Sequence, residues 1–156
     1  MAFIDNYANG YISTEAIENI VNYILDSDYL DTYGGYGVML TDKSSIINNF
    51  IMIQTAFCKE NGVRIHHIGI DFANNSILPT DIYYIAEEIS NFIGREFQNI
   101  YGIHSRSEKN EEHMHIHFAI NPVSYIDGHK FNYNYSYFAP LLNLLEEEYE
   151  IPFNIK

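Results

Sequence analysis

The sequence predicts an α+β fold, a central and mainly antiparallel β-sheet flanked by helices, on three observations. Strand and helix signals alternate along the whole chain with no repeat, low-complexity segment or linker. Three strand signals, at 64–72, 101–107 and 113–121, are separated by one helix and one short loop, and an Asp127-Gly128 pair after them is a hairpin signal. The helical segments carry apolar residues along one stripe, as helices packed on one sheet do.

Taken in order, residues 2–8 read as a short first strand. A helix follows Ser13-Thr14, with Glu15 in its first turn and an apolar stripe of Ile17, Ile20, Val21, Ile24 and Leu25. GYGVML at 35–40 reads as a strand, and the helix from about 45 to 61 stops at Asn61-Gly62. RIHHIGIDF at 64–72 is a strand. Pro79-Thr80-Asp81 opens a helix bearing Ile82, Ile85, Ala86, Ile89, Ile93 and Phe97 at helical spacing. YGIHSRS at 101–107 and the histidine-rich stretch at 113–121 return as strands, the second turning at Asp127-Gly128 into HKFNY. The last helix is expected from about 138 to 149, with Pro140 in its first turn.

Composition limits the function classes. At 156 residues the chain is expected to form a single domain, 1–156, large enough to bury a core. Hydrophobic residues make up 47% and charged residues 19%, and no apolar run approaches a bilayer span, so a disordered or transmembrane chain is excluded. The start, MAFIDNYANG, lacks the regions of a signal peptide, and Cys58 is the single cysteine; a cytoplasmic setting without disulfides is expected. Cys58 itself falls at apolar spacing in the second helix and is expected to be a buried, inert thiol. The formal net charge of -13 repels nucleic acid over most of a surface. Arg106, Lys109 and Lys130, however, flank the histidine strand in sequence.

HMHIHFAIN at 113–121 places His113, His115 and His117 on one strand face. Same-face neighbours stand roughly 6.6 Å apart at the backbone, so an adjacent pair can converge on one ion while all three in a line cannot. The third ligand must then come from another strand, and His104 is the natural candidate. An all-imidazole site suits Zn, Mn, Fe, Ni or Cu and takes Mg less willingly. In the strand at 64–72, His67, Gly69 and Asp71 share a face that is not a core face. Gly69 would permit close approach and Asp71 would orient a ligand histidine; a solvent-facing strand is equally consistent with that spacing. No Gly-x-Ser-x-Gly or Walker loop supplies a nucleophile or phosphate cradle, but there are fourteen tyrosines. Tyr23 points roughly 130° from the centre of the first helix's apolar stripe. It is placed to reach a site beside the sheet, as an ordinary exposed tyrosine would also be.

VNYILDSD at 21–28, GGYGVML at 34–40, RIHHIGIDF at 64–72 and HMHIHFAINPVSYIDGHKFN at 113–132 resemble the ordered motifs of plasmid relaxases, the mobilization nucleases of the HUH superfamily. The resemblance spans nearly the whole chain and corresponds to the nuclease domain. It implies an antiparallel sheet flanked by helices and an enzyme that nicks one strand of plasmid or transposon DNA at an origin of transfer. In this family a tyrosine attacks the scissile phosphate and remains joined to the 5′ end. A divalent metal polarises that phosphate.

Carried over residue by residue, the resemblance makes Tyr23 the nucleophile, with Tyr29 next in line, and His115 and His117 the HUH pair with His104 as third ligand. His113 is then a neighbouring or substituting histidine; His67 and Asp71 join the catalytic group on the strand-face reading given above. The implied ion is Mg or Mn, with Zn, Ni or Co able to occupy the site. The implied partner is single-stranded DNA, held by Arg106, Lys109 and Lys130 and stacked on Tyr125, Phe131 and Tyr133, with other mobilization-complex proteins as further partners. Two alternatives within the fold are a weak or inactive accessory module that binds through its acidic helices, and a rolling-circle replication initiator. A small metal-dependent oxygenase would use the same histidines but leaves Tyr23 without a role.

Overall fold

The computed structural model describes residues 2–7, 11–72, 77–106 and 113–155. Six strands form one sheet: β1 (Ala2–Asn6), β2 (Leu30–Tyr36), β3 (His66–Phe72), β4 (Asn99–His104), β5 (His115–Ile120) and β6 (Phe153–Ile155), in the order β2-β4-β5-β3-β1-β6. Every pairing is antiparallel except β1 with β6. The expected α+β fold, with a mainly antiparallel sheet, is therefore present. Among the described residues four helices complete it: α1 (Thr14–Leu25), α2 (Lys43–Ala56), α3 (Pro79–Gly94) and α4 (Tyr135–Tyr149).

The two sheet faces have different jobs. On one, Ile68, Ile70, Phe72, Tyr101, Ile103, Ile116, Phe118 and Ile120 pack against the apolar stripes of α3 and α4 in the main core. On the other, Ile100 and Ala119 lie beneath α1 and α2, with Ile17, Val21, Ile24, Ile46 and Phe50. That second cluster covers only one end of its face. The histidines occupy the other end.

Several elements differ from their sequence reading. The second strand runs Leu30–Tyr36 and ends where Gly37 takes φ 73; Val38 and Leu40, read as strand residues, instead pack against the α1/α2 cluster. Helix α2 stops at Ala56. Cys58, at φ 53, takes the left-handed position that usually terminates a helix with glycine, and Lys59 N–H donates to the Gln54 carbonyl. Cys58 is therefore exposed, which corrects the buried thiol expected from its spacing. Gly128 makes the expected turn with φ 77, but only a Val123–Lys130 bridge forms, because Pro122 has no N–H to extend a ladder. Helix α4 begins at Tyr135, where the Asn134 side chain accepts from Tyr137 N–H at 2.9 Å, so Pro140 lies inside the helix and not in its first turn. The short β6 had no recognisable signal, and Phe97, read as helical, lies beyond Gly94 on the way into β4.

Candidate active site and metal centre

The sheet register builds the site in three rows across β3, β5 and β4. Asp71, His115 and His104 stand side by side in one row; Gly69, His117 and Gly102 form the next; His67, Ala119 and Ile100 form the third. Directly paired residues of antiparallel strands project to the same side. His67, His104, His115 and His117 therefore share one face, and all four are buried.

The glycines on either side of His117 set the depth of this face. A Cβ at Gly69 would lie 2.6 Å from the Tyr7 ring, and one at Gly102 would lie 2.6 Å from Ile24 Cγ2. Their absence lets Tyr7 close down from one flank and α1 from the other. Tyr23, on α1, consequently hangs over the histidines, its ring centroid 5.2 Å from that of His117, 5.4 Å from His67 and 6.1 Å from His104. It is 40% exposed, open to a substrate as well as to the histidines. Tyr29 is placed differently: the Arg106 guanidinium lies over its ring at 5.2 Å. Tyr7 was not singled out by any pattern, yet its ring is 4.9 Å from that of His67.

Each of the three expected ligands has one ring nitrogen facing a partner. His104 Nε2–H donates to the Ile24 carbonyl at 2.9 Å, His117 Nδ1 shares a hydrogen bond with His67 Nε2 at 3.1 Å, and His115 Nδ1 faces Asp71 Oδ1 at 3.9 Å. This is how metal-binding imidazoles are usually held: one nitrogen fixed by a carbonyl, carboxylate or ring, the other turned to the ion. The His104 and His117 rings are 4.7 Å apart and those of His115 and His117 6.3 Å. The donor atoms that converge most closely belong to another set, because Asp71, His113 and His115 each offer a ligand atom within 4.8 Å of the others. There Asp71 Oδ1 is 2.5 Å from His113 Nε2. This cluster can hold a divalent ion, and its chemistry, two imidazoles and a carboxylate, suits one.

Burial also favours the neutral form of His67 and His117. Desolvation, aided by the charge of His104, lowers His67 to about 4. Desolvation, followed by the neighbouring His67, His104 and His115, pushes His117 well below the ordinary histidine value.

The expected DNA strip is not assembled beside the histidines. Arg106 follows β4 at the His104 end, whereas Lys130 bridges Val123 beyond the other end of β5, a strand length of roughly 20 Å away. The Lys130 ammonium donates to the Lys59 and Asn61 carbonyls. Phe131 is 5% exposed and belongs to the core, which corrects its expected stacking role. Tyr133 is half-buried against the same core, and the Tyr125 hydroxyl donates to the Gly94 carbonyl. Turn residues after a strand looked available in sequence, but the chain folds back, burying the Phe131 ring and half-burying those of Tyr125 and Tyr133. Lys109 lies outside the described residues.

Together, an antiparallel sheet carrying a histidine and carboxylate face, and a tyrosine set over that face by a helix, are the equipment of a metal-dependent nuclease. The chain belongs to the relaxase family: the model of the MobA/VirD2-like relaxase nuclease domain matches residues 23–151. No curated protein and no solved structure matches the chain. The family gives the chain a relaxase-type nuclease role in plasmid mobilization, with single-stranded DNA as partner. Among the described residues, no helix is long and apolar enough to cross a membrane.

Proposed function

We propose that the protein nicks one DNA strand at an origin of transfer by transesterification, with Tyr23 as nucleophile, as a single nuclease domain acting in the cytoplasm. The observation that carries this reading is the position of Tyr23 over His67, His104 and His117. In the reaction the Tyr23 oxygen bonds to phosphorus, the bond from phosphorus to the 3′-oxygen breaks, and a 5′-phosphotyrosine forms. The phenolic proton leaves to water on the exposed side of Tyr23, and the departing 3′-oxygen takes one up from water. One ester replaces another, so the step reverses and the strand can be rejoined.

His104, His115 and His117 would hold the divalent ion, Mg or Mn first and Zn, Ni or Co as substitutes, with the Ile24 carbonyl, Asp71 and His67 fixing the three rings. When bound, the ion would neutralise charge that grows on the phosphate oxygens. The close approach of Asp71, His113 and His115 supports a second ligand set sharing His115. Placement near Tyr23 favours the first, since His104 and His117 lie against that ring.

The test is a denaturing gel of the protein incubated with Mn²⁺ and a pool of single-stranded plasmid transfer-origin oligonucleotides. A protein band shifted by attached DNA is expected for the wild type and absent from Tyr23→Phe. A shifted band that survives Tyr23→Phe and disappears in Tyr29→Phe moves the nucleophile. No nicking by the wild type leaves the fold as an accessory binding module.

A further inference from the structure

An open groove of about 330 Å³ lies on the far side of α1 from the histidines, lined by Leu25, Leu30, Tyr33, Leu40 and Ile46, with Asp26, Thr41, Asp42 and Lys43 at its polar side. We propose that this groove receives one unpaired nucleobase of the DNA strand, close to the nucleotide whose phosphate faces Tyr23. The inference rests on the nuclease reading above and adds to it a site of sequence recognition.

Continuity with the histidine face is the first argument. Leu30 pairs with His104 across β2 and β4, and its Cδ1 lies 3.1 Å from where a Gly102 Cβ would stand, so one side chain borders both places. On α1, the Ile24 carbonyl holds His104, and the next two residues, Leu25 and Asp26, line the groove. A strand that runs from Tyr23 across the C-terminal end of α1 would meet the groove at Leu25 and Asp26.

Chemistry selects the base over the sugar-phosphate backbone. The polar side has two carboxylates against one ammonium, and that ammonium is already paired, Lys43 Nζ to Asp26 Oδ2 at 2.5 Å. A phosphate would be repelled there, whereas a neutral aromatic ring would not. The apolar walls suit a flat ring, and Tyr33, 48% exposed, offers the aromatic face on which unpaired bases stack. Both carboxylates are already engaged, Asp26 by Lys43 and Asp42 by Ser45 N–H at 2.7 Å, so the apolar walls and the Tyr33 ring supply the contacts to the base. The volume sits at the small end of ligand pockets, about 300–1,000 Å³, which matches one nucleotide's ring system and not a folded segment.

The experiment selects strands nicked by the full-length wild type with Mn²⁺ from a randomised single-stranded DNA pool. The selected oligonucleotide is then rebuilt with an abasic site, or with 2-aminopurine, at each position near the nick. At one position the abasic site should weaken binding about 5- to 150-fold, the range one stacked base is worth. The 2-aminopurine there should be quenched by the wild type and by Tyr33→Phe but not by Tyr33→Ala. Leu40→Trp, which fills the groove, should erase the preference at that position alone. If nicking proceeds while neither Tyr33→Ala nor Leu40→Trp alters any position, the base site is wrong and the nuclease reading stands. If no strand is nicked or bound, both fall.

Discussion

His67 Nε2 and His117 Nδ1 lie 3.1 Å apart, a hydrogen bond between two buried imidazoles on adjacent strands. Such a contact holds one hydrogen, so the two rings cannot both present N–H groups to each other. Burial drives both toward the neutral form, and each then has a defined task. For His117 to turn Nε2 to the ligand side it must carry its hydrogen on Nδ1, so His67 accepts that hydrogen at Nε2, keeps its own on Nδ1, and serves to orient the ring of His117. A row of solvated surface histidines would show neither the shared hydrogen nor the depressed basicity.

The metal set is separable by calorimetry with Mn²⁺. His115→Ala should abolish binding, since His115 belongs to both candidate sets, and His104→Ala should do the same. Asp71→Asn, which loosens the carboxylate that steadies His115, should weaken binding about 10- to 100-fold. His113→Ala should cost less than either. Full loss in His113→Ala with normal binding in His104→Ala would place the ion on Asp71, His113 and His115.

How far the sequence could be read follows from what kind of information each feature needs. The alternation of His115 and His117, and the shared face of His67, Gly69 and Asp71, are period-two patterns that a strand forces on its side chains, and both hold in the sheet, whereas His113 falls just before β5. The apolar stripe of α1 likewise told where Tyr23 does not point. The convergence of Asp71 with His113, the contact of Tyr7 with His67 and the burial of Phe131 depend on rotamers and on loops folding back. No local spacing encodes them. The placement of Lys130 failed for the same reason, because nearness in sequence says nothing about which end of a strand a returning turn reaches.

Gly102 predicts a mutation that acts on Tyr23 from a distance. In Gly102→Ala the new methyl meets Ile24 Cγ2 at 2.6 Å, Leu30 Cδ1 at 3.1 Å and the Ile24 carbonyl at 3.2 Å. Ile24 is β-branched and fully buried, so it cannot swing aside and α1 must lift. Stability should fall by about 1–3 kcal/mol, as overpacking usually costs. Covalent adduct formation should fall further than unfolding accounts for, measured at a temperature where the variant remains folded.

His66 makes the fold sensitive to acid. Its ring packs against Phe131 at 5.0 Å, and desolvation, with a smaller contribution from Lys130, lowers it from 6.5 to about 4. Below 6.5 the unfolded chain takes up a proton that the folded chain refuses. The stabilisation is thus complete above that value, declines as pH falls through the window to about 4, and is then gone. Between pH 7 and 5 this one ring should cost about 2 kcal/mol. Urea unfolding of His66→Phe should show a correspondingly smaller loss over the same interval, leaving the part contributed by His67, which shifts in the same direction.

Asn121 closes the histidine strand, and its value is structural. It is fully buried, and its Nδ2 donates to Gln98 Oε1 at 2.8 Å and to the Phe50 carbonyl at 3.1 Å, while its Oδ1 accepts from Gln54 Nε2 and Val123 N–H, each at 3.1 Å. Gln54 in turn accepts from Arg64 Nε at 2.7 Å, so the network ties β5 to α2 and to the chain entering β3. Only an amide can donate and accept in this way; a carboxylate in its place would present acceptors where two donors are required. Replacing Asn121 by Ala leaves several buried polar groups without partners, at about 1–3 kcal/mol for each that water cannot reach. The variant should therefore lose about 3 kcal/mol or more in urea unfolding. Asn121→Asp should be at least as damaging despite its matching size. Near-wild-type stability in Asn121→Asp would show that the network tolerates rearrangement and does not fix the end of the histidine strand.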